Sequence, residues 1–191
     1  MCLNEKYLPV YQFSEKHSLH IMAPHADILT AVLNFRPQED WLFRYATAVR
    51  ELPIRLLDVI QGRSAKSRPS FGMENFTLLE KNGVLELVFG LAGKFWQADY
   101  GQTTISTASD FLAFNKSGTA KLVLSFTVEK LNETHTRLTT ETRIFCLDKE
   151  AKRSFTPYWY LIRPISGLIR LRILKAISHS VRNEMPSTPI N

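Results

Sequence analysis

Between Thr119 and Cys146, two long runs of alternating side chains meet at a short turn. This pairing limits the chain to folds built on an antiparallel sheet. In the first run Ala120, Leu122, Leu124, Phe126 and Val128 share one face. Lys121, Ser125, Thr127 and Glu129 take the other, with Val123 the exception. Successive strand side chains point to opposite faces, so the pattern predicts a sheet covered on one side and wet on the other. In the second run Leu138, Thr140, Thr142, Ile144 and Cys146 share a face. The threonines make that face too polar for a dry core and suit it to lining a cavity. The expected cover is the C-terminal tail, through Phe155, Tyr158, Trp159, Ile162, Ile165, Leu168 and Ile169.

Upstream, residues 17–22 alternate well enough for a short strand, and 27–33 suit a short helix after Pro24. From 39 to 60, Trp41, Leu42, Tyr45, Val49, Leu52, Leu56, Val59 and Ile60 recur at helical spacing, and Pro53 interrupts them. A basic loop, 62–69, carries Arg63, Lys66 and Arg68. After it the period changes to two, with strands expected at 72–80, 84–91, 93–99, 110–115, 119–131 and 135–146. Asn82-Gly83 is a hairpin signal, and 115–118 and 132–134 supply further turns. Short links between consecutive strands mean an antiparallel meander. In the tail, Asp148 suits a helix N-cap, and Thr156-Pro157 suits a second start. Pro164 and Gly167 interrupt again, so a last helix is expected over 166–181, with 183–191 disordered.

The chain has 191 residues, enough for one domain with a sizeable core and no staples. Only two cysteines occur, Cys2 and Cys146, and neither belongs to a CxxC pair. A disulfide framework or zinc ribbon is therefore not expected, and a cytoplasmic location is. Residues 1–7 lack the apolar run of a signal peptide. The most apolar window, 159–177, contains Arg163, Arg170, Arg172 and Lys175. Each charge at bilayer depth costs about 2.5–3.5 kcal/mol, so this window should not span a membrane.

The order strand, helical pair, antiparallel strands, C-terminal helix resembles that of the START and polyketide-cyclase superfamily, often abbreviated SRPBCC. The resemblance covers about 17–181. The stretches GLAGKFW (90–96), TTETR (139–143) and FTPYWYLIRPISGLIR (155–170) are similar to those of bacterial members. It implies an α+β helix-grip fold: a seven-stranded antiparallel curved sheet wrapped around a C-terminal helix, enclosing a cavity for apolar or amphipathic small molecules. On this reading, residues 1–182 form a single START/polyketide cyclase-like domain. Superfamily members usually carry one uninterrupted helix, so Pro157 and Pro164 predict one that is kinked or broken. The superfamily has no single catalytic motif, and no catalytic residue carries over.

His17, His20, His25, His135 and His179 show no metal-ligand spacing, and the expected metal and cofactor count is none. No GxSxG elbow is present. Gly90 and Gly93 lie between strands, which favours a bend in a sheet over a phosphate cradle. Glu141 and Arg143 share a face with Arg137 and Thr139; their default is a solvated charge ladder outside the sheet. The expected ligand-binding set is aromatic and apolar at one end: Trp96, Phe114, Phe155, Tyr158, Trp159 and Ile162. Leu124, Phe126, Thr140 and Thr142 supply the sheet side of it.

The leading expectation is a domain that binds a small hydrophobic or amphipathic molecule without transforming it. The rival is a cyclase-, aromatase- or hydrolase-like enzyme, which needs an inward-pointing titratable group: Glu141, His20 or Tyr158. The third is weak contact with an anionic membrane surface through the basic tail. No nucleic-acid-binding motif accompanies those basic residues.

Overall fold

A computed structural model describes residues 2–23, 28, 30–32, 75–97 and 101–184. The expected helical pair at 39–60 and the basic loop 62–69 lie outside these residues. The chain begins with a short helix, α1 (Leu3–Tyr7), followed by strand β1 (Phe13–Ile21). Then come β2 (Thr77–Asn82), β3 (Glu86–Gly93) and the two-residue β4 (Gln102–Thr103). A second helix, α2 (Ala108–Ala113), leads into β5 (Ala120–Lys130) and β6 (Thr136–Cys146). A long helix, α3 (Lys149–Glu184), ends the described chain.

The strands form one antiparallel sheet in the order β1-β6-β5-β3-β2, with β4 paired to β3. The α+β class and antiparallel sheet follow the alternation read above, and six strands are present among the described residues. In the β5–β6 hairpin Leu124 lies opposite Thr142 and Phe126 opposite Thr140. Asn132 closes its turn by accepting from the backbone amides of Thr134 and His135. Gly83, at φ 53°, sits in the β2–β3 turn, in the left-handed region where glycine carries no steric cost.

Two expected strands are corrected. Residues 110–115 do not form a strand. Thr107 Oγ1 accepts from the Asp110 amide, and the Asp110 carboxylate accepts from the Thr107 amide, a capping box that starts α2. Of the expected strand 93–99, only Gly93 among the described residues 93–97 belongs to the sheet, and 95–97 turn away from it.

The helix α3 passes through Pro157 and Pro164 without a break, which corrects the expected interruption. Each proline frees the carbonyl four residues earlier. Those belong to Arg153 and Tyr160, both on the exposed side, where water can satisfy them. Asp148 starts the helix as expected: its carboxylate accepts from the amides of Ala151 and Gly118 and from the Ser117 hydroxyl. These bonds hold its carboxyl down at about 2. The helix reaches Glu184, so residues 183 and 184 are helical; 185–191 lie outside the described residues. No helix among the described residues is long and apolar enough to cross a membrane.

Helix α3 packs across β1 and β6 on one face of the sheet. The opposite face is wet around His20 and Arg137 but covered at the other end. There Val88, Ala92 and Val123 pack with Leu3, Tyr7 and Leu8 and with Phe111 of α2. Gly90 lies under this layer, where a Cβ would come within 2.8 Å of both Leu79 and Phe111. Its role is close approach, not a bend. Gly90→Ala should therefore destabilise the protein by about 1–3 kcal/mol through overpacking, a loss to be read from urea unfolding.

Candidate functional site

Three elements on the α3 side of the sheet change from apolar to polar at the same level and back again. On β1, Phe13 belongs to an apolar cluster at one end and Ile21 to another at the opposite end. Between them Glu15 and His17 face the same way. On β6, Ile144 and Leu138 belong to those two clusters, with Thr142 and Thr140 between them. On α3, Phe155 and Trp159 belong to the first, Leu174 and Ile177 to the second, and Ser166, Gly167 and Arg170 lie between. Strand pairing brings Glu15 opposite Thr142 and His17 opposite Thr140. On the other side of β6, Leu124 and Phe126 continue the same rows as an apolar flank.

Glycine at 167 makes this level possible. A Cβ there would lie 2.9 Å from Glu15 Oε1 and 3.5 Å from the His17 ring, so only glycine lets the helix approach the carboxylate without displacing it. His17 Nε2 stands 3.0 Å from Glu15 Oε1. Arg170 Nε lies 3.8 Å from Glu15 Oε2, too far for a hydrogen bond, and donates weakly to Ser166 Oγ at 3.4 Å. Burial pulls the Arg170 guanidinium down to about 10, against the opposing pull of Glu15, and it stays protonated at neutral pH.

What distinguishes the level is its unmet hydrogen bonding. Among the described residues, Glu15 Oε2, Thr140 Oγ1 and Thr142 Oγ1 are buried without a hydrogen-bond partner, and Glu15 Oε2 has only the longer Arg170 contact. Both threonines are 1 % exposed. A buried polar group without a partner costs about 1–3 kcal/mol, and nearly all such groups in folded proteins are satisfied. Three such atoms lie at one level, between two apolar clusters.

The structure divides the residues expected to bind a ligand. Thr140 and Thr142 stand at the polar level, beside Leu124 and Phe126. Phe155, Tyr158, Trp159 and Trp96 gather at the first apolar end, where the Phe155 ring lies 5.0 Å from Phe13, 5.5 Å from Trp96 and 5.7 Å from Phe95. That end is filled by aromatic packing. Ile162 is buried on α3 between the aromatic end and the polar level. Phe114 is placed elsewhere, on the opposite face against the α1–α2 layer.

The three groups expected to supply an acid or base are not at this level. His20 is exposed on the far side of β1, where its Nε2 accepts from Arg137. Tyr158 packs against Phe155 at the aromatic end. Glu141 lies on the opposite face, beneath α1, and accepts from Asn4 and Arg143. Nor is this a solvated charge ladder. Arg143 is only 9 % exposed; it also bonds Glu5 at 2.6 Å and stacks over Tyr11. The expected ladder is corrected at Glu141 and Arg143, which α1 covers, while Arg137 stays on the solvated side, paired with Glu129.

Glu15 was not singled out in the sequence, Arg170 was read only as one of the basic residues of the tail, and His17 only as a non-chelating histidine. The signal for β1 was present: Phe13, Glu15, His17, Leu19 and Ile21 alternate, polar in the middle and apolar at the ends.

No family model matches the sequence. No curated protein matches it at a significant level. Among solved structures, the chain is similar to a Thermobifida fusca protein determined by solution NMR, at 15 % identity over 88 % of this chain and 94 % of that one, TM-score 0.40. It is similar to Zhui aromatase/cyclase from Streptomyces sp. R1128 at 8 % identity, covering 92 % and 96 %, TM-score 0.38. A hypothetical protein from Helicobacter pylori matches at 10 % identity, covering 93 % of each, TM-score 0.37. Likeness of this degree carries nothing about ligand, reaction or site residues.

Proposed function

We propose that this chain is a helix-grip domain of the START/polyketide-cyclase type that binds a small amphipathic molecule between its sheet and α3. One observation carries the reading: β1, β6 and α3 turn polar at a single level, and three buried polar atoms there have no hydrogen-bond partner among the described residues. A ligand would offset the cost of those atoms and gain from burying apolar surface, about 25 cal/mol per Å² before ordering costs. A reducing compartment belongs to the same reading. Both cysteines are free, and burial pushes the Cys146 thiol up to about 11, where it is inert at neutral pH.

Native mass spectrometry and thermal-shift screening against fatty acids, sterols and aromatic polyketides test the proposal. The expected result is one ligand per chain and, at a hundredfold excess over Kd, about 2.7 kcal/mol of added stability. If no apolar compound binds, the carrier reading fails.

A second reading, an enzyme of the cyclase, aromatase or hydrolase kind, is favoured by the His17–Glu15 contact. An imidazole oriented by a carboxylate is an arrangement suited to general-base work on a bound substrate. In that case His17→Gln abolishes turnover while ligand affinity stays within about threefold, because the lost term acts on the transition state alone.

A further inference from the structure

We infer that the bound molecule's polar end is a neutral hydroxyl donor, an alcohol, phenol or enol, rather than a carboxylate or an ammonium. This rests on the carrier reading above and specifies the chemistry of its site. Glu15 Oε2 has no hydrogen-bond partner among the described residues and only accepts, so whatever bonds it must donate. The unpartnered Thr140 and Thr142 hydroxyls can each donate or accept. A hydroxyl answers both demands: its proton goes to Glu15, and its lone pairs receive a threonine proton.

Charge narrows the choice further. Glu15 and Arg170 are opposed at 3.8 Å and already balance each other. A carboxylate head would place a second negative charge beside Glu15 and lacks the proton that Glu15 Oε2 requires. An ammonium head would donate to Glu15 but lie beside the buried Arg170 guanidinium. Unpaired charge in a buried site is heavily penalised, so a neutral donor fits where either ion does not.

Titration calorimetry on the full chain with two matched series tests this: naphthol, methoxynaphthalene and naphthoate, then dodecanol, its methyl ether and dodecanoate. Each hydroxyl compound should bind about tenfold or more tightly than its ether and its acid, as expected where a site is built around one hydroxyl. The Thr140→Val/Thr142→Val variant should weaken alcohol and ether alike by about threefold to tenfold, because an ether oxygen also accepts a threonine proton. The alcohol-to-ether preference set by donation to Glu15 persists, and the Ser/Ser variant restores both affinities. Glu15→Gln provides a second variant that folds independently of the threonine changes. It removes the accepting carboxylate and leaves Arg170 unopposed, so naphthoate should overtake naphthol. Equal affinity across a series, or tighter binding of the acid to the unaltered protein, overturns the hydroxyl assignment while the carrier reading stands. Failure of all six to bind also overturns it, and the carrier reading is then judged separately by the fatty-acid and sterol screen.

Discussion

Replacing Phe155 by Ala is expected to destabilise the protein by about 3–5 kcal/mol, the range for truncating a buried aromatic. In a chain of this length that corresponds to roughly 10 °C in Tm. Phe155 is 1 % exposed and is the ring about which the aromatic end of the site is built. Five aromatic neighbours from β1, the β3–β4 connection and α3 itself lie with centroids between 5.0 and 6.1 Å from it. They come from elements far apart in the chain, so no local rearrangement can close the gap an alanine leaves. Tyr160→Ala is the matched control, since that residue sits on the same helix but is 68 % exposed. Surface truncations of that sort usually shift stability by no more than about 0.5 kcal/mol. Urea unfolding of both variants makes the comparison. Equal effects would mean that α3 is not seated on the sheet through its aromatic end, and the proposed site would lose one of its walls.

The Thr140→Val/Thr142→Val double variant should move stability the other way. Valine keeps the branched shape, suits a strand and removes the hydroxyl. With both buried hydroxyls lacking partners, their removal should stabilise the ligand-free protein by roughly 2–4 kcal/mol for the pair. That is roughly 5–10 °C in Tm by the same scaling. The gain should come with weaker ligand binding, the exchange of stability for function that natural sites commonly show. Thermal and urea unfolding without added ligand read the first effect directly. A destabilised double variant would show that the hydroxyls are satisfied in solution, and the case for a ligand at this level would lose its main support.

Much of the sheet was legible in the chain. The alternation from Ala120 to Cys146 located β5 and β6, and Asn82-Gly83 located the β2–β3 hairpin, because pleat and turn chemistry act over a few residues. The threonine face was legible too, since Thr140 and Thr142 interrupt an otherwise apolar row. The capping box that makes 108–113 helical was equally local, with Thr107 and Asp110 three apart, yet 110–115 was expected as a strand. The first helix had no such signal. Its five residues hold their place through contacts with the sheet: the amide of Leu3 donates to Glu86, Asn4 donates to Ser125, and Tyr7 donates to Glu80.

The site shows the same boundary. Sequence alone determined which side chains share a face, because the strand period of two and the helix period of 3.6 are properties of the local backbone. It therefore placed Thr140 with Thr142, and Phe155 with Trp159. Only the tertiary structure decided what meets what. The pairing of β1 with β6 carries Glu15 and His17 across more than 120 residues of chain to the two threonines, and Gly167 lets α3 close over them. Such pairings depend on the competition among all surfaces seeking cover, a sum over the whole molecule that no window of sequence contains.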